Sequence, residues 1–153
     1  MANTMRWRYG DTNPVTLESI ADDDVEIGDL VGKLDGSARP ASAFNNVESF
    51  RDAFLGVAMQ ASPLGQTSGV RVATTGVFEF ECDADGYEVG DPLQVAAAGP
   101  VGCVDQRIAR CTADPQLVAI GRCAKNERAS QTRVLIDVIS VVMKGGPQFA
   151  TAQ

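Results

Sequence analysis

Short stretches in which apolar and polar residues alternate run through most of the chain. The clearest is TRVLIDVISVVM, residues 132–143, where Val134, Ile136 and Val138 share one face. Because a strand places successive side chains on opposite faces, this pattern predicts β-strands. Roughly nine or ten such stretches occur, separated by turn signals about every 8–12 residues. The chain is therefore predicted to be all-β, as a small barrel or a sandwich.

One segment carries a helical pattern instead. In NNVESFRDAFLG, Val47, Phe50 and Phe54 fall on one face of a helix. Either Asn at its start can cap the first turn, and Gly56 can end the helix. We predict one short helix over residues 46–55, packed against the sheet or barrel.

Turn-forming residues set the predicted boundaries between strands. DGSARPAS, residues 35–42, is predicted to be a loop by its composition. Asp85-Gly86 separates GVFEFEC from DPLQVAA, and Asp-Gly is a strong signal for a hairpin between two strands. Gly28-Asp29 interrupts an apolar stretch and predicts a bulge or a tight bend.

The chain contains one small β element twice. Three pairs of segments match in the same order: VEIGDLV (25–31) with YEVGDPL (87–93), FLGVAMQ (54–60) with AIGRCAK (119–125), and GVRVATT (69–75) with TRVLIDV (132–138). Their nearly constant offset predicts two pseudo-repeated β units, neither of which could bury its apolar face alone. Between matching strands, the first unit holds the predicted helix and the second a predicted hairpin, VGCVDQRIARCT.

The ends of the chain differ from this β pattern. Residues 1–24 sustain no period and are predicted to form an extended N-terminal arm, before a β domain at 25–142 and a polar C-terminal tail at 143–153. The arm holds the single Trp, one of the two Tyr and two Arg within MRWRY. These residue types dominate interface hot spots, which favours a partner-binding arm. A disordered terminus, or Trp7 folded back on its own core, is the alternative.

Charge, apolar content and the N-terminal sequence disfavour several classes of partner. A net charge of −7 disfavours direct binding to nucleic acid. No apolar run approaches the roughly 20 residues that span a bilayer. The N-terminus lacks the apolar core of a signal peptide, so synthesis in the cytosol is expected. Since aromatic residues are few, a ligand-lined pocket inside a barrel is not indicated.

The residues expected of an enzyme are largely missing. The chain has no histidine, so Ser-His-Asp and Cys-His arrangements cannot form. Its cysteines show no C-x-x-C spacing, which gives no support for a zinc or redox motif. We predict that they are small buried residues, and the sequence leaves open whether any pair forms a disulfide. The cysteines are Cys82, Cys103, Cys111 and Cys123.

Two acidic clusters remain as candidate chemistry. Glu79, Glu81, Asp83 and Asp85 alternate at the end of a predicted strand. Paired carboxylates serve acid–base catalysis, as in glycosidases, but alternate acidic residues on a strand more often form its solvated face. The run 22–24 lacks the spacing of a calcium-binding loop, so a solvated turn is predicted there.

The β elements in their order resemble a known family. Across residues 25–139, V-E-I-G-D-L-V, F-L-G-V-A, G-V-F-E-F, E-V-G-D-P-L, A-I-G-R-C-A and V-L-I-D-V resemble the small capsid decoration (cement or head-stabilisation) proteins of tailed phages. The resemblance implies a compact β domain, often trimeric, that binds outside an assembled shell of major capsid protein and reinforces it. N-terminal arms that join capsid strands are common in such proteins. The central helix and the four cysteines depart from that pattern.

The resemblance and the residues together give an expected function. We expect a non-enzymatic structural protein of the virion, without cofactor or metal, that binds the major capsid protein at the outer capsid surface, with a trimer favoured. The expected capsid-binding residues are Met5, Arg6, Trp7, Arg8 and Tyr9. Another phage component, such as a tail or head-fibre protein, is the alternative, followed by a small β-barrel that binds a ligand.

Overall fold

The computed structural model describes residues 3–143, and these form a mostly β structure that confirms the all-β prediction. Eleven strands and two short helices are present in this range: β1 (Arg6–Tyr9), β2 (Val15–Glu18), β3 (Leu30–Leu34), β4 (Ser37–Pro40), α1 (Val47–Asp52), β5 (Phe54–Ala58), β6 (Gly69–Ala73), β7 (Thr75–Glu81), β8 (Pro92–Ala97), β9 (Cys103–Arg110), α2 (Pro115–Val118), β10 (Gly121–Cys123) and β11 (Arg133–Ile139). No helix within residues 3–143 is long and apolar enough to cross a membrane. Most of the predicted tail lies outside the described residues.

The strands form two sheets with the same internal order. One sheet runs β2-β6-β5-β3-β4. The other runs β7-β11-β10-β8-β9, and it closes into a five-stranded barrel where β9 pairs in parallel with β7, at Glu81 and Arg107. Each strand of the first sheet therefore has a counterpart at the same place in the second. The two pseudo-repeated β units predicted from the sequence are confirmed, with β1 added to the edge of β7.

The first copy of the repeated motif is a tight turn that enters β3. The carboxylate of Asp29 accepts the main-chain N–H of Glu26 at 2.9 Å, and the Asp29 N–H donates to the Glu26 carbonyl at 3.1 Å. Gly28 has φ +101°, a left-handed conformation that glycine adopts without a steric penalty. The turn is attached to the end of β5, because Gly28 donates to the Ala58 carbonyl and Ala58 donates to that of Asp29, both at 2.8 Å.

The second copy repeats this geometry bond for bond. Asp91 accepts the Glu88 N–H at 2.9 Å, and Gly90 has φ +94°. Gly90 donates to the Cys123 carbonyl at 2.9 Å, and Cys123 donates to that of Asp91 at 2.8 Å. The motif E-[IV]-G-D thus occurs once in each unit, where it forms the same bend. One carboxylate closes the turn, and one glycine adopts a positive φ. The bend predicted at Gly28-Asp29 is confirmed.

A second feature shared by the units is a glycine where neighbouring strands come close. A Cβ at Gly56 of β5 would collide with the carbonyl oxygen of Ala73, and a Cβ at Gly121 of β10 would collide with that of Asp137. Both collisions are with main chain, which cannot rotate away. These two glycines occupy matching positions in the repeat, so a bare backbone is required at this crossing in each unit.

The principal hydrophobic core lies between and within the two units. It contains four fully buried phenylalanines, together with Val, Ile and Leu side chains from both sheets. Helix α1 contributes Phe50, whose ring makes edge contacts with Phe44 and Phe54 at centroid distances of 5.1 and 5.6 Å. A smaller cluster lies under the first sheet. Because this core crosses the repeat, the two units fold against one another rather than as separate modules.

Several predicted elements differ from those observed. Helix α1 begins after Asn46, whose side chain caps it as predicted, but it ends at Asp52, so Phe54 lies in β5. The predicted loop at 35–42 contains strand β4, which follows a two-residue turn at Asp35-Gly36. The sequence predicted a loop here because the segment is polar and contains Pro40. Both features also occur in edge strands, and β4 is an edge strand that ends at Pro40.

Two further predictions in the second unit are wrong. Strands β7 and β8 do not form a hairpin across Asp85-Gly86, because β11 and β10 lie between them in the sheet. The predicted hairpin VGCVDQRIARCT is mostly the single strand β9, the counterpart of β4. The second unit also has its own short helix, α2, capped by Asp114, which packs against α1. The excursions of the two units are therefore more alike than the sequence indicated.

The glycine pair gives a test of the repeat. We expect Gly56→Ala and Gly121→Ala each to lower the free energy of unfolding by about 2 kcal/mol or more, because the added methyl group must displace main chain. Chemical denaturation followed by circular dichroism measures the loss. Gly86→Ala is the control, since its Cβ would meet atoms only at 3.9 Å. Equal stability of the Gly121 variant and the control would contradict the close approach.

Candidate interaction surface at the N-terminal strand

The five residues predicted to bind a partner lie in and beside β1. This strand pairs antiparallel with β7, with Arg6 opposite Glu79 and Trp7 opposite Phe78, and its register shifts between Trp7 and Tyr9. All four strand residues are exposed, and half of the surface of Trp7 and of Tyr9 is accessible. Met5 is buried at 3% exposure and belongs to the core. The surface available to a partner therefore consists of Arg6, Trp7, Arg8 and Tyr9.

Arginine side chains lie on this strand and beside it. Glu79 on β7 pairs with Arg133 of β11 at 2.6 Å and lies 3.9 Å from Arg8. Arg6 donates to the carbonyls of Met5 and Asn3 at 2.7 and 3.0 Å. One carboxylate thus lies between two guanidinium groups, and the exposed aromatic pair lies beside arginine side chains. Aromatic residues and arginine together are the usual composition of an interface hot spot.

The outer edge of β1 offers few main-chain groups for a further strand. The main-chain N–H of Cys82 donates to the Thr132 carbonyl, toward β11. Because main-chain groups alternate in direction along a strand, those of Glu79 point toward β1, and those of Trp7 point away from β7. The next outward position, Met5, already bonds through its N–H to Gln106 and through its carbonyl to Arg6. The outer edge of β1 therefore presents mainly side chains rather than a row of main-chain groups for a further strand.

A buried glutamine holds the start of the arm in place. The Oε1 atom of Gln106, on β9, accepts the N–H groups of Thr4 at 2.9 Å and Met5 at 3.2 Å. Its Nε2 atom donates to the Asp29 carboxylate at 2.8 Å and to the Ile27 carbonyl at 3.2 Å. One side chain with 3% exposure thus joins the arm, the first repeated turn and the second unit. We refer to Gln106 and Asp29 as the arm latch.

The latch depends on a carboxylate in a poorly solvated place. Asp29 is 1% exposed, and burial raises its pKa to about 6, although the hydrogen bonds from Glu26 and Gln106 oppose this change. Nearby Asp105 and Glu26 raise it further, since like charges disfavour ionisation. The arm also packs closely here, because a Cβ at Gly28 would lie 2.9 Å from the Met5 Cβ. The counterpart of Asp29, Asp91, is more exposed and lies 3.4 Å from Arg110.

Three of the four carboxylates that suggested catalysis are paired with arginines, among them Glu79 with Arg133. Asp83 pairs with Arg107 at 2.7 Å and Asp85 with Arg110 at 2.8 Å. In the other acidic run, Asp23 forms an ion pair with Arg39. Within residues 3–143, no group of three potential ligands is arranged to hold a metal ion. These side chains therefore have structural partners of their own.

The four cysteines are free in the described structure. Cys82, Cys103 and Cys123 are buried and Cys111 is partly buried. Burial raises the pKa of all four thiols, that of Cys103 to about 11. A thiol with a raised pKa is a poor nucleophile, because the thiolate is the reactive form. The prediction of buried small residues is confirmed for Cys82, Cys103 and Cys123.

Sequence reasoning did not find the residue that positions the start of the chain. Gln106 lies in a strand of mixed composition, 77 residues from Asp29, and no local pattern marks it. Asp29 was visible as part of the repeated motif. The distinction between a buried Asp29 and a partly exposed Asp91 depends on the arm, which only the folded structure brings to the first turn.

Comparisons with known proteins give a structural likeness without a match in sequence. No family model matches the chain, and no curated protein matches it in sequence. Among solved structures, the chain is similar to the head fiber gp8.5 N base of bacteriophage phi29, with 17% sequence identity and a TM-score of 0.47 over 82% of this chain and 93% of that one. A likeness at this level assigns neither family nor function to the chain.

The arm latch predicts that Gln106 controls access to β1. Trypsin cleaves after Arg6 and Arg8 only when β1 detaches from β7. We expect Gln106→Ala to speed this cleavage about tenfold, because the lost hydrogen bonds are worth roughly 1–3 kcal/mol. Mass spectrometry of timed digests measures the rate. Gln131→Ala, at an exposed position, is the control. An unchanged rate in Gln106→Ala would show that pairing with β7 alone holds the arm.

The buried carboxylate predicts a pH dependence of stability. The folded protein holds a proton on Asp29 up to about pH 6, whereas the unfolded chain releases it near 3.8. The free energy of unfolding should therefore fall as pH rises from about 4 to 6, by at most about 3 kcal/mol, and then level off. Asp105 and Asp137, whose pKa values burial also raises, add to the same trend.

Urea denaturation at a series of pH values measures this slope. Asp29→Asn removes the titrating group and should flatten the slope, leaving the smaller part due to Asp105 and Asp137. Asp91→Asn removes a carboxylate from the corresponding, more exposed turn and should keep the wild-type slope. If Asp29→Asn kept the full slope, the burial of Asp29 would not be its source.

Proposed function

We propose that this protein is a non-enzymatic structural component of a phage virion that decorates the outer surface of the capsid and stabilises it. Its partner is the major capsid protein of the same virus, and it acts without a cofactor, as a homo-oligomer for which a trimer is favoured. It contacts neither nucleic acid nor a membrane. The proposal rests on the resemblance of the ordered β elements to capsid decoration proteins.

The observation that carries the binding part of the proposal is the exposed face of β1. Trp7 and Tyr9 are large, half-exposed aromatic residues on a strand that also carries Arg6 and Arg8. Their strand is fixed from behind by β7 and by the arm latch. An anchor that is ordered before binding loses less conformational entropy when it docks. These features favour a preformed binding surface at the N-terminus.

Many copies acting together would supply the stabilisation. Each copy needs only a modest affinity when several linked copies dock on a symmetric shell, because avidity multiplies the effect. A compact β domain with a continuous core is suited to bearing load without unfolding. The arm then provides the contact, and the two β units provide a rigid body that holds it.

The test counts copies of the protein against the major capsid protein by quantitative mass spectrometry of purified virus particles. Decoration predicts a ratio near one per capsid subunit, or a simple fraction of it. Absence from particles would contradict a virion role. A handful of copies per particle would indicate a tail, vertex or head-fibre component instead.

A second experiment tests the binding surface. Purified variants are added to shells that lack the protein, and the bound copies are counted in the same way. We expect Trp7→Ala and Tyr9→Ala each to weaken shell binding about 30-fold, the effect of losing roughly 2 kcal/mol at a hot spot. Substitutions are preferable to deletion of residues 1–9, because deletion also removes the buried Met5. Leu64→Ala, at another highly exposed apolar residue, is the control. Wild-type binding by both arm variants would exclude β1 as the contact.

A further inference from the structure

A groove opens on the second unit, on the side of the molecule that carries the two helices. It has a volume of about 280 Å³ and lies between α2, the start of β10 and the end of β11. Its walls are mainly apolar, yet two arginines contribute to them. The residues used below are Arg51, Ala119, Gly121, Arg122, Ile139 and Val141.

Arg51 is the less satisfied of the two arginines. Its side chain is 19% exposed, and its one ion pair is with the adjacent Asp52, at 3.4 Å. Its Nε atom is buried and has no hydrogen-bond partner among the described residues. A buried N–H group without a hydrogen-bond partner is unfavourable, and such groups in native proteins call for an explanation. A ligand carboxylate would supply an acceptor for this N–H, because arginine binds carboxylates through two parallel hydrogen bonds.

Arg122 adds a second positive charge to the same groove. Its side chain donates to the Gly90 carbonyl at 2.8 Å, which fixes it beside the groove without neutralising it. Among residues 3–143, no carboxylate pairs with Arg122. Two guanidinium groups in a mainly apolar groove, on a chain of net charge −7, favour an anionic ligand that also carries apolar groups.

The pseudo-repeat shows what kind of chain such a position accepts. In the first unit, the Phe54 carbonyl accepts the N–H of Val141 at 2.9 Å, and the Thr74 carbonyl accepts that of Ser140 at 2.8 Å. The segment that follows β11 thus fills this position as an extended peptide, with Val141 largely buried. Phe54 corresponds to Ala119 in the repeat, and Ala119 lines the groove. The second unit has the same position, and no described segment occupies it.

We propose that this groove binds an extended, acidic peptide segment of a protein partner, whose carboxylate pairs with Arg51 and Arg122 while a neighbouring apolar residue packs against Ile139. Ile139 is 46% exposed in the absence of such a partner. This surface is distinct from β1, and the proposal does not depend on capsid binding by the arm.

Nuclear magnetic resonance on the ¹⁵N-labelled full chain tests the proposal. The probes are two blocked tetrapeptides, acetyl-Ile-Asp-Val-Val-amide and acetyl-Ile-Asn-Val-Val-amide, which differ only in the carboxylate. We expect the Asp peptide to shift the Arg51 Nε–H signal and the Gly121 amide saturably, and to bind about tenfold more tightly than the Asn peptide, as for one charge-assisted contact. Sodium acetate at the same concentration should leave these signals nearly unchanged.

Variants assign the effect to the two arginines. Arg51→Gln and Arg122→Gln should each weaken binding of the Asp peptide about tenfold, whereas Arg128→Gln, at an exposed position outside the groove, should not. If Arg51→Gln fails to fold, Arg122→Gln and the peptide pair on the native protein still decide. Equal binding of the two peptides, no shift at the groove, or equal shifts with acetate would each overturn the proposal.

Discussion

The buried hydrogen bonds of Gln106 connect three parts of the molecule through one side chain. They bring together the N-terminal arm, the first repeated turn and strand β9 of the closed barrel. The amide oxygen accepts hydrogen bonds and the amide nitrogen donates them, so a half-turn rotation of the amide would break these bonds. The exposed aromatic face of β1, the burial of Asp29 and the tight packing at Gly28 all follow from this arrangement.

The two units share a common framework, and they differ at the two surfaces that are proposed to bind partners. Both contain the same turn, the same glycine crossing and the same strand order. In the second unit the sheet closes, and β1 extends it at β7; in the first unit the sheet stays open and the chain after β11 fills the position beside α1. Each unit thus completes the other, and the face of β1 and the groove beside α2 remain exposed.

Sequence patterns were most informative where they act locally and repeatedly. The E-[IV]-G-D turns, the Asn46 cap and the alternation of β11 could be predicted because neighbouring residues determine them. Strand β4 and the partners of β7 could not, because polar edge residues look like loop, and the order of strands in a sheet depends on contacts distant in sequence. The same holds for the candidate site. Composition marked Trp7 and Tyr9, whereas the burial of Met5 and the role of Gln106 arise from contacts about 100 residues apart.

The joint between the two units is a single buried residue, Thr74, between β6 and β7. Its N–H donates to the Thr12 carbonyl, its hydroxyl to that of Asn13, and its own carbonyl accepts the N–H of Ser140. A single buried residue with its polar groups hydrogen-bonded leaves no free length of chain that could act as a hinge or a linker. A cut at Thr74 would disturb hydrogen bonds to the segment before β2 and to the segment after β11 at the same time. Any engineered fusion or insertion belongs instead at an exposed turn tip such as Leu64, which is 67% exposed.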